Sequence, residues 1–425
     1  MKITIIGGGS TYTPELVDGL VRRHQVLSLD DLWLMDIAPE RLDVVGSFAR
    51  RMVEAARVPF RVHLTTDRVE ALEGASFVVT QIRVGGMQAR LEDERLGMRH
   101  GLVGQETTGV GGMAKALRTI PVMLAIARDV ARLAPDAFLI NFANPSGLVT
   151  EALLRHSAVR AIGLCNVPWN ARADIARWLG VGLDDVTLDY VGLNHLSWIR
   201  GVFVGGEDRT DDVVEAYLAQ DGQEAHGLAP WIVRAQRAWP NYYLRYYYHT
   251  ARVIEEQRAA EQTRAQEVMD VEKELLALYR DPALVTKPEA LDKRGGAYYS
   301  EAAAALMADL HNDAGTVHVV NARNDGAIPN LPPDVVVEVP CRVGRTGVGP
   351  LATEPLAPAM WGLVSAVKAY ELLVVEVAVH GDRDAARLAL LANPLGPDGD
   401  HVDEVLDDLL AINRAHLPRF FEDIG

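Results

Sequence analysis

The sequence predicts an α/β fold in which a doubly wound parallel sheet is followed by a tightly joined α+β part. Short apolar, β-rich runs alternate with helical patterns through the first third of the 425 residues. A glycine-rich turn follows the first of these runs, and the pattern changes after about residue 165. Strands that alternate with helices form βαβ units, which build a parallel sheet covered on both faces.

The first part of the chain contains six predicted strands, at 2–8, 31–36, 60–66, 77–82, 138–144 and 159–165. Helical patterns cover 14–23, 37–56 and 114–133. Ligands of such sheets bind beyond the carboxyl ends of the strands. We therefore expect a site from the residues that end these strands, namely Gly7–Ser10, Asp36, Arg83, Asn144 and Cys165.

The second part begins with longer strands at 186–208, which we expect to be antiparallel. An Arg- and Tyr-rich helical stretch runs from there to about residue 280. The remaining predicted segments are a helix at 297–311, a β-rich piece at 317–343 and closing helices at about 355–380 and 401–416. No internal repeat or low-complexity linker separates these segments. We expect two tightly wound domains, approximately 1–165 and 166–425, with the closing helices able to pack back on the first.

The charge balance excludes one class of partner. The chain carries 42 Lys and Arg against 58 Asp and Glu, a formal net charge of −16. Sequence-independent nucleic-acid binding needs a basic surface, so we expect no nucleic-acid partner. An anionic substrate would need a local basic pocket.

The location is predicted from the cysteines and the apolar segments. The two cysteines, Cys165 and Cys341, are too few for a disulfide framework and favour a reducing compartment. The N-terminal MKITIIGGG has no signal-peptide pattern. The apolar stretch at 363–379 contains Lys368, Glu371 and Glu376, which indicates a buried helix and no membrane span. We expect a cytoplasmic protein.

The glycine-rich turn predicts nucleotide binding. Gly7, Gly8, Gly9 and Ser10 follow an apolar strand and precede a helix. Glycines at such a turn let backbone N–H groups approach a pyrophosphate at the helix N-terminus. The third glycine of the G-x-G-x-x-G pattern is replaced by Tyr12, but Asp36 ends the second strand, where an acid binds the ribose hydroxyls of NAD. An ordinary βα turn with a surface aspartate is the weaker alternative, so we predict a Rossmann-type NAD-binding domain.

Cys165 and His195 are a candidate metal pair. Cys165 ends an apolar strand in GLCNVP, and His195 lies thirty residues later in GLNHLSW. Two ligands are too few for a structural zinc site, but they would suit a catalytic metal with open positions. Most free cysteines and isolated histidines in apolar strands are packed core residues. Spacing alone therefore favours the structural interpretation.

The chain resembles glycoside hydrolase family 4, and within it the 6-phospho-β-glucosidases. The shared motifs extend over nearly the whole sequence in the order of the family. They are IIGGGSTYTPEL (5–16), QIRVGG (81–86), GLVGQETTGVGG (101–112), NFANPSG (141–147), GLCNVP (163–168), GLNHLSW (192–198), YLRYYY (243–248), KRGGAYYS (293–300) and NPLGPD (393–398).

The resemblance implies a role for individual residues. Cys165 and His195 would bind a divalent metal, usually manganese, and Tyr243 would be the general base. Without the resemblance, Tyr243 is one of several tyrosines between 242 and 248 that could equally be packing residues. The other implied residues are Gly7, Gly8, Gly9, Ser10, Asp36 and Arg83 for NAD, Arg90, Asn144, Asn166, Asn194 and Arg294 for substrate, and Glu106 close to the reacting sugar.

Asn166 bears on the linkage that is cleaved. Family members that act on α-linked substrates tend to have an aspartate directly after the ligand cysteine, where it is the general acid. This chain has Asn166, as the β-acting members do, and an amide cannot donate a proton as an acid. The resemblance therefore implies a β-linked substrate, with the leaving-group proton supplied by another group or by water.

The implied activity is an unusual hydrolysis. Hydride passes from C3 of the sugar to NAD, Tyr243 removes the C2 proton with its pKa lowered by the metal or Arg245, the aglycone is eliminated, water adds, and NADH returns the hydride. NAD-dependent glycosidases are a known exception to the two-carboxylate mechanism. The alternatives are a family activity on unphosphorylated or α-linked glycosides, a plain dehydrogenase with the same lactate/malate dehydrogenase-like layout, and a non-enzymatic sensor. We expect a homo-oligomer, a dimer or tetramer, and no membrane partner.

Overall fold

This computed structural model describes residues 1–219, 227–294 and 299–421. Its strands are β1 (Lys2–Ile6), β2 (Asp31–Met35), β3 (Arg61–Thr65), β4 (Phe77–Thr80), β5 (Phe138–Asn141), β6 (Arg160–Gly163), β7 (Val186–Leu193), β8 (Leu196–Val204), β9 (Glu207–Asp208), β10 (Trp239–Pro240), β11 (Val317–Arg323), β12 (Val336–Gly344) and β13 (Gly347–Pro350).

Helices separate and follow these strands. They are α1 (Thr13–Leu27), α2 (Pro39–Ala55), α3 (Arg68–Leu72), α4 (Gly86–Arg99), α5 (Gly109–Leu133), α6 (Ser146–His156), α7 (Val167–Leu179), α8 (Thr210–Leu218), α9 (Pro230–Gln236), α10 (Leu244–Tyr248), α11 (Thr250–Ala259), α12 (Arg264–Tyr279), α13 (Tyr299–Asn312), α14 (Pro358–His380), α15 (Arg383–Ala392) and α16 (Val402–Ile412). Short 3₁₀ segments lie at Leu183–Asp185, Glu289–Arg294, Arg414–His416 and Pro418–Phe420.

A parallel sheet of six strands forms the first half of the fold, in the order β3-β2-β1-β4-β5-β6. This is the doubly wound order of a dinucleotide-binding sheet, and the strand order reverses beside β1. Strands β1, β4, β5 and β6 are mostly buried, as expected for a sheet covered on both faces, whereas only Val62 is buried in the edge strand β3. The predicted α/β class is confirmed.

Three antiparallel strands extend this sheet beyond β6, in the order β11-β12-β13. The junction is narrow, because β11 joins β6 where Asn321 faces Gly163. A Cβ atom on Gly163 would lie 2.2 Å from Thr150 Oγ1 and 2.8 Å from the Asn321 Cβ. The predicted β-rich segment 317–343 is therefore part of the first sheet. Pairing between segments so distant in the chain leaves no local sequence pattern, so the sequence analysis missed this junction.

A second sheet carries part of the site. Its strands β7 and β8 form the antiparallel pair predicted for 186–208, and β9 and β10 both pair with β8. Leu193 pairs with Leu196, so Asn194 and His195 form a two-residue turn at the end of the hairpin. The φ of His195 is +64°, a left-handed conformation that is rare for a residue other than glycine.

The strand ends differ from the predicted ones in a consistent way. We predicted β4, β5 and β6 to continue to residues 82, 144 and 165, but they end at Thr80, Asn141 and Gly163. The apolar pattern continues past these ends because the following residues are still buried or half-buried. Helices α3, α4, α6, α7 and α15 were not predicted. The first two residues of the predicted helix 297–311 and residues 295–298 of KRGGAYYS lie outside the described residues.

Two apolar helices lie in the interior. The stretch 363–379 belongs to α14, where Lys368 and Glu371 are buried and Lys368 Nζ lies 2.9 Å from Glu151 Oε2 on α6. This confirms the predicted buried helix. Among the described residues, only α5 is long and apolar enough to span a membrane, yet 78% of its most apolar window is buried against the rest of the protein. Helix α5 is therefore a core helix.

Candidate functional site

A cavity of about 1310 Å³ lies at the carboxyl ends of β1, β2, β4, β5 and β6. Loops that follow these strands form one wall, and the β7–β8 turn and the segment around α10 form another. This is the edge of the sheet at which the site was expected. The predicted residues that line the cavity are Gly7, Ser10, Asp36, Arg83, Arg90, Glu106, Asn144, Cys165, Asn166, His195, Tyr243 and Arg294.

Three predicted residues do not line the cavity. Gly8 and Gly9 are buried against the end of β2, where a Cβ atom would lie 2.8 Å from the Leu34 Cβ or 2.9 Å from Asp36 Oδ2. Asn194 lies behind the cavity wall, where its amide donates to Glu338 Oε1 at 3.0 Å. The structure thus gives these residues a supporting position.

The glycine turn has the geometry of a dinucleotide loop. Gly7 has a φ of +94°, and its N–H and that of Gly8 both donate to the Met35 carbonyl. Asp36 closes the turn, because Oδ2 accepts from Gly9 N at 2.8 Å and Oδ1 accepts from Ala38 N at 3.0 Å. The turn lies immediately before the N-terminus of α1, where backbone N–H groups attract anions.

Cys165 and His195 meet in the wall of the cavity. Cys165 Sγ lies 3.7 Å from His195 Nε2, and both side chains are buried. Two ligands of one tetrahedral ion, at typical metal–sulfur and metal–nitrogen distances, would be about 3.6 Å apart. His195 Nδ1 lies 3.2 Å from Thr107 Oγ1, a contact that leaves Nε2 available to a metal when Nδ1 carries the proton.

The ionisation of this pair also suits a metal. Burial, reinforced by Lys115, lowers the pKa of His195 to about 3, so the imidazole is neutral and its lone pair can coordinate. Burial and the nearby Glu338 raise the pKa of Cys165 to about 12, so a cation is needed to hold the thiolate. Among the described residues, no group of three His, Cys, Asp or Glu side chains is placed to share one ion. A metal at this pair would therefore keep positions open for substrate oxygens.

Tyr243 lies directly against the pair. Its ring stacks on the His195 imidazole with centroids 3.8 Å apart and an angle of 4° between the planes. Burial, then Tyr242 and Tyr246, raises the pKa of Tyr243 well above its ordinary value. Arg245, which was expected to lower this pKa, is paired with Glu256 and is not among the largest influences on Tyr243. Arg90 has an electrostatic interaction with Tyr243.

Glu106 joins three cations beside these residues. It forms ion pairs with Arg83, with Arg90 Nη1 at 3.1 Å and with Lys115 Nζ at 2.6 Å. Burial raises the pKa of Glu106, but Arg83, Lys115 and Arg90 more than reverse this and hold it well below its ordinary value. Burial and Arg83 lower the pKa of Lys115 to about 7, against the opposing effect of Glu106. Glu94 also pairs with Arg90 Nε at 2.9 Å, so the cluster contains three basic groups against two carboxylates.

A second basic group lies near the glycine turn. Arg294 Nη2 is 3.0 Å from Glu272 Oε1, and Arg41 Nη2 is 3.1 Å from Glu272 Oε2. Burial raises the pKa of Glu272, but Arg294 and Arg41 hold it below its ordinary value. Arg294 Nε is buried without a hydrogen-bond partner among the described residues. An orphaned guanidinium donor in a cavity wall indicates an anionic or polar ligand.

Sequence reasoning missed four residues that support the site, namely Thr107, Lys115, Glu272 and Glu338. Thr107 orients His195, Lys115 and Glu272 neutralise charged partners, and Glu338 holds Asn194. Burial raises the pKa of Glu338 to about 7, partly offset by its hydrogen bonds. These residues lie on elements far apart in the sequence, and a charged residue within a helix or strand pattern usually indicates a solvated face. Only the GLVGQETTGVGG motif, which contains Thr107, carried a signal.

Comparison with known proteins gives consistent matches along the chain. A model described as family 4 glycosyl hydrolase matches residues 2–181, and the model of the C-terminal domain of that family matches residues 190–396. A probable 6-phospho-beta-glucosidase of Bacillus subtilis (strain 168) is 45% identical over 436 aligned residues, which cover 100% of this chain and 99% of the relative.

Solved structures agree with these matches. The structure of the 6-phospho-beta glucosidase from Thermotoga maritima with manganese, NAD+ and glucose-6-phosphate has a TM-score of 0.93 and 40% identity, and the match covers 98% of this chain and 99% of that one. A malate dehydrogenase from Plasmodium falciparum has a TM-score of 0.58 and 14% identity, covering 89% of this chain and 98% of that one. The second match shows the fold alone, and it confirms the predicted dehydrogenase-like layout.

Proposed function

The chain belongs to glycosyl hydrolase family 4, and on this basis we propose that it hydrolyses 6-phospho-β-glucosides with NAD and a divalent metal. The observation that carries the proposal is the placement of Cys165, His195 and Tyr243 in one cavity with the glycine turn. Cys165 Sγ and His195 Nε2 are 3.7 Å apart, and Tyr243 stacks on the imidazole. The full-length relatives with this activity support it.

The residues fit both cofactors. Gly7, Ser10 and Asp36 would hold NAD, with Arg83 beside them, since the turn leaves backbone donors at the start of α1. Cys165 and His195 would hold the metal, with manganese the ion found in the Thermotoga maritima structure. When bound, NAD supplies a reversible hydride acceptor for C3 of the sugar, and the metal supplies positive charge for the neighbouring oxygens.

Tyr243 would remove the C2 proton, which the C3 ketone makes acidic. Tyr243 lines the cavity, and its ring stacks on the His195 imidazole. Burial raises the pKa of Tyr243 well above its ordinary value, so the phenolate depends on nearby positive charge. Arg90 is such a charge within the protein itself.

The leaving group would be expelled by elimination. Asn166 lines the cavity beside Cys165 and cannot act as an acid. Glu106 cannot replace it, because three cations hold its pKa well below its ordinary value. A β-linked substrate whose aglycone leaves without acid catalysis, or with a proton from water, fits this arrangement.

The sugar and its phosphate would be bound by polar groups around the metal pair. We assign Arg90, Asn144, Asn166 and Arg294 to the substrate, with Asn194 acting from behind the wall. Arg294 has an orphaned Nε in the cavity wall, and an arginine fork suits phosphate oxygens. The excess of positive groups around Glu106 provides the local basic pocket that a chain of net charge −16 requires.

We also propose the larger organisation. Residues 1–165 would form the NAD-binding domain and 166–425 the substrate and metal domain, joined through the β6–β11 contact. A homo-oligomer, a dimer or tetramer, is supported by exposed Trp361, Leu388 and Leu391 on α14 and α15. A cytoplasmic location is supported by the need to keep Cys165 reduced.

One assay tests the function against its alternatives. Chromogenic β-glucosides with and without 6-phosphate, and the α-linked counterparts, are supplied with NAD, Mn²⁺ and a thiol reductant. We expect hydrolysis of the phosphorylated β-glucoside alone. Preference for an unphosphorylated or α-linked glycoside would move the protein to another activity of the family. Accumulation of NADH in proportion to product would instead indicate a plain dehydrogenase.

A further inference from the structure

Glu338 is a fully buried carboxylate on β12 that has no cation within ion-pair distance among the described residues. Both of its oxygens accept hydrogen bonds from neutral side chains. Oε1 accepts from Asn194 at 3.0 Å and from Asn321 at 3.1 Å, and Oε2 accepts from the Tyr190 hydroxyl at 2.7 Å. A buried charge or carboxyl group held in this way is costly, so its presence calls for an explanation.

Two series of hydrogen bonds start at Glu338, and we call them the first and the second branch. The first branch leads to the metal pair. Asn194 is the residue before His195 in the β7–β8 turn, and its side chain also hydrogen-bonds the Cys165 thiol. His195 keeps a left-handed φ of +64°, which persists only where the surroundings determine the backbone conformation. The bond from Asn194 to Glu338 fixes the position of the turn on the rigid strand β12.

The second branch leads to the proposed base. The Tyr190 hydroxyl lies 2.6 Å from Ser197 Oγ, and Ser197 Oγ accepts from Asn241 Nδ2 at 3.0 Å. Asn241 Oδ1 in turn accepts from the backbone N–H of Tyr243 at 3.1 Å. Tyr190, Ser197 and Asn241 are all buried. Because Tyr190 donates to Glu338, Ser197 donates to Tyr190 and Asn241 donates to Ser197. Every hydrogen bond of this series is therefore donated toward the Glu338 carboxylate.

We propose that Glu338 is a positioning residue. Through these two branches it fixes the position of the Asn194–His195 turn relative to the backbone of Tyr243. The proposal rests on the proposed function, because it concerns the distance and orientation between the metal pair and the base. A site of this kind needs its catalytic groups held to within a fraction of an ångström by supporting hydrogen bonds. Glu338 is the only side chain among the described residues that receives hydrogen bonds from both branches.

A carboxylate at this position can accept the hydrogen bonds of Tyr190, Asn194 and Asn321 at the same time. Alanine would leave the Tyr190, Asn194 and Asn321 donors buried without their acceptor. Glutamine would keep the acceptor of the two asparagines and present an N–H₂ group to the Tyr190 oxygen, and the Tyr190 hydroxyl would then turn to donate to Ser197 Oγ, 2.6 Å away. Glu338→Gln should therefore rescue most of what Glu338→Ala loses.

The experiment compares four variants of the full chain. They are Glu338→Ala, Glu338→Gln, Tyr190→Phe, which cuts only the second branch, and the control Glu151→Gln. Glu151 is equally buried, but its partners are Lys368, Arg155 and the Val336 N–H, none of which belongs to the two branches. Each variant is measured for kcat and KM with NAD and Mn²⁺, for thermal unfolding, and for the visible spectrum of the protein titrated with Co²⁺ alone, which reports the geometry of thiolate and imidazole ligands.

We expect Glu338→Ala to lower kcat by about ten- to a hundredfold, the range for loss of a residue that supports a metal ligand, and to change the Co²⁺ spectrum. Glu338→Gln should restore most of both. Tyr190→Phe should lower kcat while leaving the Co²⁺ spectrum unchanged. Glu151→Gln should lower the unfolding temperature and leave kcat and the spectrum as in the unmodified protein.

A purely structural role would give a different pattern. If Glu338→Ala only lowers the unfolding temperature, as the Glu151 control does, the inference is overturned. If Glu338→Ala does not fold, unchanged kcat in both Glu338→Gln and Tyr190→Phe overturns it. Failure of the unmodified protein to hydrolyse the phosphorylated glucoside would refute the proposed function instead, and the Co²⁺ spectra would still decide whether Glu338 positions the metal pair.

Discussion

Replacement of Tyr243 by phenylalanine separates the proposed base from the structural role of its ring. The variant keeps the ring that stacks on His195, 3.8 Å between centroids, and removes only the hydroxyl. In the fold that hydroxyl shares a hydrogen bond with Tyr242, so its loss should cost about 0.5–1.5 kcal/mol of stability. For a chain of this size we expect the unfolding temperature to fall by no more than about 4 °C.

The effect on rate should be much larger. Loss of a general base typically costs about 10²–10⁴-fold, which corresponds to about 3–5 kcal/mol in the barrier. Tyr242→Phe is the matched control, because it removes the other hydroxyl of the same hydrogen bond but leaves the proposed base. It should show a similar change in stability and retain most of the activity.

The assay is hydrolysis of a chromogenic 6-phospho-β-glucoside, with the glucose 6-phosphate formed in D₂O analysed for deuterium at C2. The unmodified protein should incorporate deuterium, and a C2-deuterated substrate should react more slowly when proton removal limits the rate. Near-normal turnover by Tyr243→Phe would show that another group is the base. Product with protium alone at C2 would refute proton removal as assigned.

Three further results are expected. Cys165→Ser should bind Mn²⁺ much more weakly in a metal titration but still bind NAD, and full activity of metal-free Cys165→Ser would contradict the metal pair. Asp36→Ala should weaken NAD binding by calorimetry more than it alters KM for the glucoside, and equal effects on both would contradict its assignment to the ribose. A thio-linked 6-phospho-β-glucoside should be cleaved, because elimination needs no in-line displacement, and complete resistance of that substrate would count against the mechanism.

Much of the fold could be predicted because local patterns determine it. The apolar runs of β1 to β6, the helices α1, α2 and α5 and the glycine turn appear in the sequence. The prediction missed helices α3, α4, α6 and α7, and it also missed the pairing of segments that are distant in the chain. Strand β11 joins β6 only where Asn321 meets Gly163, and no periodicity in either segment indicates that contact.

The site residues also differ in whether the local sequence could indicate them. Cys165 and His195 alone favoured packed core residues, and only the resemblance of their motifs to a family raised them to metal ligands. The structure then brings their side chains within 3.7 Å of each other. Lys115 and Glu338 gave no signal, because a single charged residue in a helix or strand pattern does not reveal that it is buried beside a ligand.

The charges of the cavity explain why a hydride mechanism suits this fold. A glycosidase that uses two carboxylates needs one of them protonated, with a raised pKa, as the general acid. Here Arg83, Arg90 and Lys115 hold the pKa of Glu106 well below its ordinary value, and arginines hold that of Glu272 below its own. Both carboxylates therefore stay ionised and serve as counter-ions. Because neither of them can act as the general acid, the two-carboxylate mechanism is not available to this pair, and the proposed elimination from the neighbouring carbon, with Tyr243 as the base beside Cys165 and His195, fits these charges better.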